Sequence, residues 1–206
     1  MDYLRDPAAI YRESFARIEA EAPLQDLDGP ARAVVMRVIH ACGMTDIADD
    51  LYQSPGAAAG GQAALHRGAP VLADCRMVAE GIIRRRLPAA NAVICTLNDD
   101  GIIEAARKAG TTRSAMAVEA WRPHLDGAVV AIGNAPTALF RLLEIIDEGA
   151  PPPALIIGMA VGFVGAAEAK QALIDSGLPC IAVRGRRGGS AMAAAAVNAL
   201  SAPAEG

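Results

Sequence analysis

The stretch Val129-Val-Ala-Ile-Gly-Asn-Ala-Pro136 leaves this chain fewer folding options than any other. Four consecutive apolar, partly β-branched residues suit a strand buried on both faces. Gly133-Asn134-Ala135 turns the chain, and Pro136 brings a preset φ to the position where a helix should begin. Leu139, Leu142, Leu143 and Ile146 then recur at helical spacing, which predicts a helix with one face on the sheet. Strand, tight loop and helix N-terminus form the βα unit of an open α/β sheet. Ligands bind such sheets at the loop, because its N–H groups and the helix dipole point outward together. One such loop is often only a turn, but this chain repeats the device.

Asp6-Pro7 is a cap and first-turn signal for a helix running to about Glu21. Gly29-Pro30 opens a second helix, from Ala31 to about Cys42, that Gly43 ends; on it Arg37 and His40 share a face while Val34, Val38 and Ile39 point elsewhere. Residues 47–52 are compatible with a short edge strand, and Pro55 to His66 reads as an alanine-rich helix. Beyond these the pattern is regular. Short apolar runs at 70–73, 92–97, 128–132, 154–157 and 179–183 alternate with helical stretches at about 76–81, 102–108, 115–121, 136–146 and 168–176 and from after 190 to about 200, with Ser114 and Ser190 as N-cap candidates. That alternation predicts an α/β fold, a parallel sheet with helices on both faces. With 206 residues and no linker, a single domain over 1–206 is expected. Aromatic residues make up only 3% of the chain, so alanine, valine, isoleucine and leucine must fill the core.

The net charge of −4 argues against a nucleic-acid partner, which would call for a basic excess. Cys42, Cys75, Cys95 and Cys180 are far apart and form neither a zinc pattern nor a disulfide framework, so no metal is expected. No signal-peptide pattern and no membrane-length apolar run is present, and a cytoplasmic location with no membrane partner is the expectation.

In a parallel sheet the βα loops emerge at one rim. Here Asn98–Gly101, Gly133–Pro136, Gly158–Gly165 and Arg184–Ser190 converge there, most of them glycine-bearing and the last with three arginines. N–H-rich loops and arginines suit a ligand with several carboxylate or phosphate groups. The phosphate-binding and dinucleotide motifs are missing, however, and no Gly-x-Ser-x-Gly elbow occurs. His40, His66 and His124 are the only histidines, the residue type whose ordinary pKa lies near neutrality. His66 ends a helix and His124 follows Pro123 in a surface turn. His40 has Arg37 one turn back, yet its position alone favours a structural or exposed histidine over a catalytic one.

Read together, Tyr11-Arg-Glu-Ser14-Phe15, Arg37-Val-Ile-His40-Ala-Cys-Gly43, Thr112-Arg113-Ser114, Gly133-Asn-Ala-Pro-Thr-Ala-Leu-Phe140, Val161-Gly-Phe-Val-Gly-Ala-Ala-Glu168 and Gly185-Arg-Arg-Gly-Gly-Ser190 resemble the precorrin-8X methylmutase family of cobalamin biosynthesis. The resemblance spans almost the whole chain in order. It implies a flavodoxin-like three-layer α/β/α sandwich with extra N-terminal helices, and a homodimer with its site near the subunit interface. The implied reaction shifts a methyl group from C-11 to C-12 of the tetrapyrrole precorrin-8X, giving hydrogenobyrinate without any cofactor. It maps the acid–base residue onto His40 and substrate contacts onto Ser14 and Arg113. Arg37, Gly133, Asn134, Arg186 and Ser190 complete the expected substrate-binding set, Gly133 and Asn134 as a clamp for one carboxylate arm. The runs around Cys42 and Cys95 are more similar to the aerobic, metal-free branch. Two positions depart from the family pattern: Ala160 stands where proline is usual, and Ala169 where serine is usual between Glu168 and Lys170. A carrier that binds the same tetrapyrrole without converting it is the competing expectation.

Overall fold

A computed structural model describes residue 1, residues 3–27 and residues 29–201. Asp6 caps α1 (Pro7–Glu21), its carboxylate accepting the N–H groups of Ala8 and Ala9 at 3.1 and 3.2 Å. Helix α2 (Gly29–Cys42) ends where Gly43 turns to φ +70° and donates its N–H to Ile39. The stretch 47–52 divides between a one-turn α3 (Ile47–Asp50) and an edge strand β1 (Leu51–Gln53). There follow α4 (Ala57–His66), β2 (Val71–Ala73), α5 (Arg76–Gly81), β3 (Val93–Ile94), α6 (Ile102–Lys108), α7 (Arg113–Glu119) and β4 (Val129–Ile132). The chain closes with α8 (Pro136–Asp147), β5 (Leu155–Gly158), α9 (Ala166–Asp175), β6 (Cys180–Val183) and α10 (Ser190–Leu200).

The six strands form one sheet in the order β1-β6-β5-β4-β2-β3, parallel except for β1, which runs antiparallel to β6 with Leu51 opposite Val183. Leaving out β1, the parallel strands follow the flavodoxin order, and the direction of winding reverses between β2 and β4. Because successive strand residues face opposite sides, Val71, Ala73, Val129, Ala131, Ile157 and Ile181 pack under α4, α5 and α10, while Leu72, Val130, Ile132, Ile156 and Ala182 pack under α7, α8 and α9. Helix α10 is buried from Met192 to Leu200, since the sheet covers one side and α2 lies along another. Alanine is what permits this. With few large side chains, α10 is hydrophobic all round and fits between two layers. Helix α1 rests on α2 in turn, so the N-terminal pair forms an added layer outside the sandwich.

Three expectations are corrected. Thr112, not Ser114, caps α7, its hydroxyl oxygen accepting the Ala115 N–H at 3.1 Å, so Ser114 lies inside the first turn. Ser190 is the first residue of α10 rather than its cap; Gly189, at φ +137°, holds that position. The run 92–97 keeps only two strand residues, because the Thr96 hydroxyl donates to the Ala117 carbonyl at 2.7 Å and draws the chain off the sheet towards α7.

Candidate active site

At the point where the sheet reverses direction, Asp74 leaves β2 and turns its carboxylate towards the loop after β4. Oδ1 accepts the Gly133 N–H at 3.0 Å, and Oδ2 accepts those of Asn134 and Ala135 at 2.9 and 2.8 Å. The N–H groups expected to clamp a substrate carboxylate are therefore already bonded to the protein's own. Gly133 is buried for a second reason: a Cβ there would stand 2.7 Å from the Ser190 Cα and 3.0 Å from the Gly189 carbonyl oxygen. Ser190 is itself buried, its hydroxyl 3.4 Å from the Cys75 thiol. Gly133 and Ser190, both expected to touch substrate, are thus packed beneath the rim, whereas the Asn134 side chain is exposed on it. Burial pushes the Asp74 carboxyl above its ordinary range, against the pull of the three N–H bonds and the Cys75 thiol.

His40 lies on the outer face of α2, away from Val34, Val35, Val38 and Ile39, which are buried. Its Nδ1 is 2.9 Å from the Ser14 hydroxyl of α1. A hydroxyl donates to a neutral imidazole nitrogen and accepts from a protonated one, so this bond survives a change in the charge of the ring. Phe15 stacks on the imidazole with centroids 5.2 Å apart at 29°, and Tyr11 stands 5.7 Å away. Tyr11 and Phe15 are four apart on α1 and stack on each other at 4.5 Å, which presents one aromatic ridge to α2. The Arg37 guanidinium carbon lies 5.8 and 5.9 Å from the centres of the same two rings. Ser14, Arg37 and His40 are brought together, then, with the ring held at Nδ1 and along its face.

Four residues after His40, Met44 lines a cleft of about 360 Å³ together with Val161, Gly162, Phe163, Arg186, Arg187, Gly188 and Met192. This cleft opens at the carboxyl rim, beside the loops that follow β5 and β6. Phe163 and Val164 stand 86% and 89% exposed, too much bare apolar surface on one loop to be ordinary scatter. The three arginines after β6 divide their work. Arg187 is ion-paired with Asp46 and Asp50 at 2.7 and 2.5 Å, Arg184 lies over Tyr52 at 5.0 Å, and Arg186 lies over Phe163 at 5.1 Å. Arg186 and Arg187 both line the cleft, and among the described residues Arg187 is the one of the two that carboxylates hold. Arg113 sits farther along the rim at the start of α7, 3.4 Å from the Asn98 side-chain oxygen. The Thr112 hydroxyl, donating to that of Thr137 at 2.8 Å, ties this helix start to α8 beside Asn134.

Sequence reasoning missed Asp74 and Lys170. The first carried a usable signal, a carboxylate directly after a strand at the switch point. The second lay inside an ordinary helical pattern. Lys170 on α9 is fully buried, donates to the Arg187 carbonyl at 2.5 Å, and burial lowers its pKa to about 8. Among the described residues no group of three or more His, Cys, Asp or Glu side chains converges as metal ligands would, and no helix is long and apolar enough to cross a membrane.

Known proteins resemble this chain along nearly its whole length. A model of the family described as precorrin-8X methylmutase matches residues 9–202. The chain is 63% identical over 203 residues to the precorrin-8X methylmutase of Pseudomonas aeruginosa, covering 98% of each, and 52% identical over 204 residues to that of a Sinorhizobium species, covering 98% and 97%. Among solved structures, the precorrin-8X methylmutase of Thermus thermophilus superposes with a TM-score of 0.85 at 40% identity, over 94% of either chain.

Proposed function

This chain belongs to the precorrin-8X methylmutase family, is an isomerase, and on that premise we propose that it converts precorrin-8X to hydrogenobyrinate in cobalamin biosynthesis, with His40 as the acid–base residue. The reaction breaks the methyl bond at C-11 of the tetrapyrrole and makes one at C-12, so substrate and product have the same atoms and no electrons enter or leave. The observation that carries the reading is the Ser14–His40 hydrogen bond on an aromatic ridge beside Arg37. A migrating methyl group moves more easily across a protonated conjugated ring, and an imidazole held at Nδ1 keeps Nε2 for that proton. General acid catalysis of this kind is worth roughly 10²–10⁴-fold. Arg37, Arg113, Asn134 and Arg186 hold carboxylate arms of the macrocycle and fix which face meets His40.

The cleft of about 360 Å³ accepts only one edge of so large a ligand. We infer that a second copy of the chain covers the exposed rim around Phe163 and Val164, making the enzyme a homodimer whose site lies near the interface. The Pseudomonas aeruginosa and Sinorhizobium relatives are both named for precorrin-8X, which supports that compound as the substrate here.

The decisive experiment mixes the protein with metal-free precorrin-8X and follows the visible spectrum in a single turnover. The wild type gives the hydrogenobyrinate spectrum after binding, while His40→Ala binds and stops there. Near wild-type turnover in that variant would overturn the role of His40. A shift on mixing with no later change in the wild type would make the protein a carrier.

A further inference from the structure

We propose that Lys170, together with the Asp46–Arg187–Asp50 cluster, is a positioning device that fixes the loop after β6 so that Arg186 meets one carboxylate arm of the substrate. The inference deepens the function proposed above and rests on its assignment of an arm to Arg186. Lys170 is 0% exposed, and its Nζ donates to the backbone carbonyl of Arg187 at 2.5 Å. Holding an ammonium group in the interior is costly unless it is paired, and an apolar side chain of similar length would fill the same space. What an apolar side chain lacks is the bond to the loop.

The other restraints fall on the same few residues. Arg184 donates its N–H to the Asp50 carbonyl at 2.8 Å, the Arg186 carbonyl accepts the Gly162 N–H at 3.2 Å, and Gly189 donates to the Met159 carbonyl at 2.7 Å. The Arg187 side chain reaches across to Asp46 and Asp50 at 2.7 and 2.5 Å. Within this cluster the two cations Lys170 and Arg187 face the two carboxylates Asp46 and Asp50, so its charges balance. Arg186 is left outside that balance, on the cleft side, with Phe163 under its guanidinium. A loop fixed at four backbone points delivers one uncompensated arginine to the cleft. That is the geometry a carboxylate arm requires, since misplacement of the order of an ångström is enough to lose orientation.

The test is a double-mutant cycle read by absorbance titration with hydrogenobyrinate and by steady-state turnover of precorrin-8X. Lys170→Met, which keeps the bulk and loses the donor, should weaken product binding about tenfold and raise KM similarly, with a much smaller change in kcat. Arg186→Ala should weaken binding as much or more. The double variant should bind no worse than Arg186→Ala alone, because Lys170 acts through Arg186. Amide exchange at residues 184–189 should quicken in Lys170→Met while the rest of the chain is unchanged. Should Lys170→Met fail to fold, Asp46→Asn with Asp50→Asn removes the same support from partly exposed positions and should give the same pattern. Wild-type binding in the supporting variants beside weakened binding in Arg186→Ala overturns the positioning role alone. Additive losses in the double variant overturn it too, and wild-type binding in Arg186→Ala overturns the assignment of the arm itself.

Discussion

Replacing Asp74 with alanine removes one carboxylate and strands three backbone donors together. Two of them, the N–H groups of Gly133 and Ala135, lie in buried surroundings, and the third, that of Asn134, is part-buried. Each buried donor left unsatisfied costs about 1–3 kcal/mol, so the two give a loss on the order of 2–6 kcal/mol, lower if water enters the vacated space. Asparagine is the sharper probe. Its carbonyl oxygen can take the place of Oδ2 and keep two bonds, but its amide nitrogen then faces the Gly133 N–H, donor against donor, for a loss of about 1–3 kcal/mol. Urea denaturation read by fluorescence suits the measurement, because Trp121 is the one tryptophan and is fully buried. Added formate should restore part of the stability of Asp74→Ala by binding the folded state alone. The dependence on acidity has a definite sign. Burial holds the folded-state pKa of Asp74 above 3.8, so the folded protein keeps this proton more readily than the unfolded chain. Its contribution is complete below that value and shrinks as pH rises through the folded-state pKa, and the deficit of Asp74→Asn should narrow accordingly. A loss below about 1 kcal/mol for Asp74→Ala, with no response to formate, would refute the reasoning.

Ser14→Ala should lower kcat about tenfold with little change in product affinity, since it frees the imidazole without touching Arg37; an unchanged kcat in steady-state assays would count against the dyad. Lys170, with its pKa lowered to about 8 by burial against an ordinary 10.5, binds its proton less readily in the folded chain, so the stability of the wild type relative to Lys170→Met should rise between those values, by up to about 3 kcal/mol in urea titrations at several pH values. Gly133→Ala should cost about 1–3 kcal/mol by thermal or urea unfolding, because the new Cβ meets the backbone of Ser190, which cannot swing aside. Size-exclusion chromatography with light scattering should find two copies per particle, and Phe163→Asp should shift the population to monomer.

Much of the fold was legible because the signals were local. Pro136 at the first position of α8, Gly43 after α2 and the Asp6 cap each act within a turn, and the apolar runs of β4, β5 and β6 needed no distant partner to be recognised. Errors arose where a distant group outbid the local one. Thr112 and Ser114 are both good caps, and the tie with Thr137 of α8 accompanies the choice of the first. Ser190 reads as a cap from its neighbours alone, yet Cys75, 115 positions away, stands beside its hydroxyl. At the candidate site, helical spacing put Arg37 and His40 on one face of α2, while the roles of His40 and Ser14 came through resemblance. The occupation of Gly133–Ala135 by Asp74 was invisible, because it joins residues 59–61 apart and no periodicity records such a bond.

That bond also bears on which anions the crevice can hold. The crevice where proteins of this architecture seat flavin or nucleotide phosphates is here closed by a carboxyl group of the chain itself. A free phosphate or nucleotide arriving there finds the loop's N–H groups already taken. Prior occupancy sets this crevice apart from a phosphate site and leaves the exposed rim to the proposed ligand.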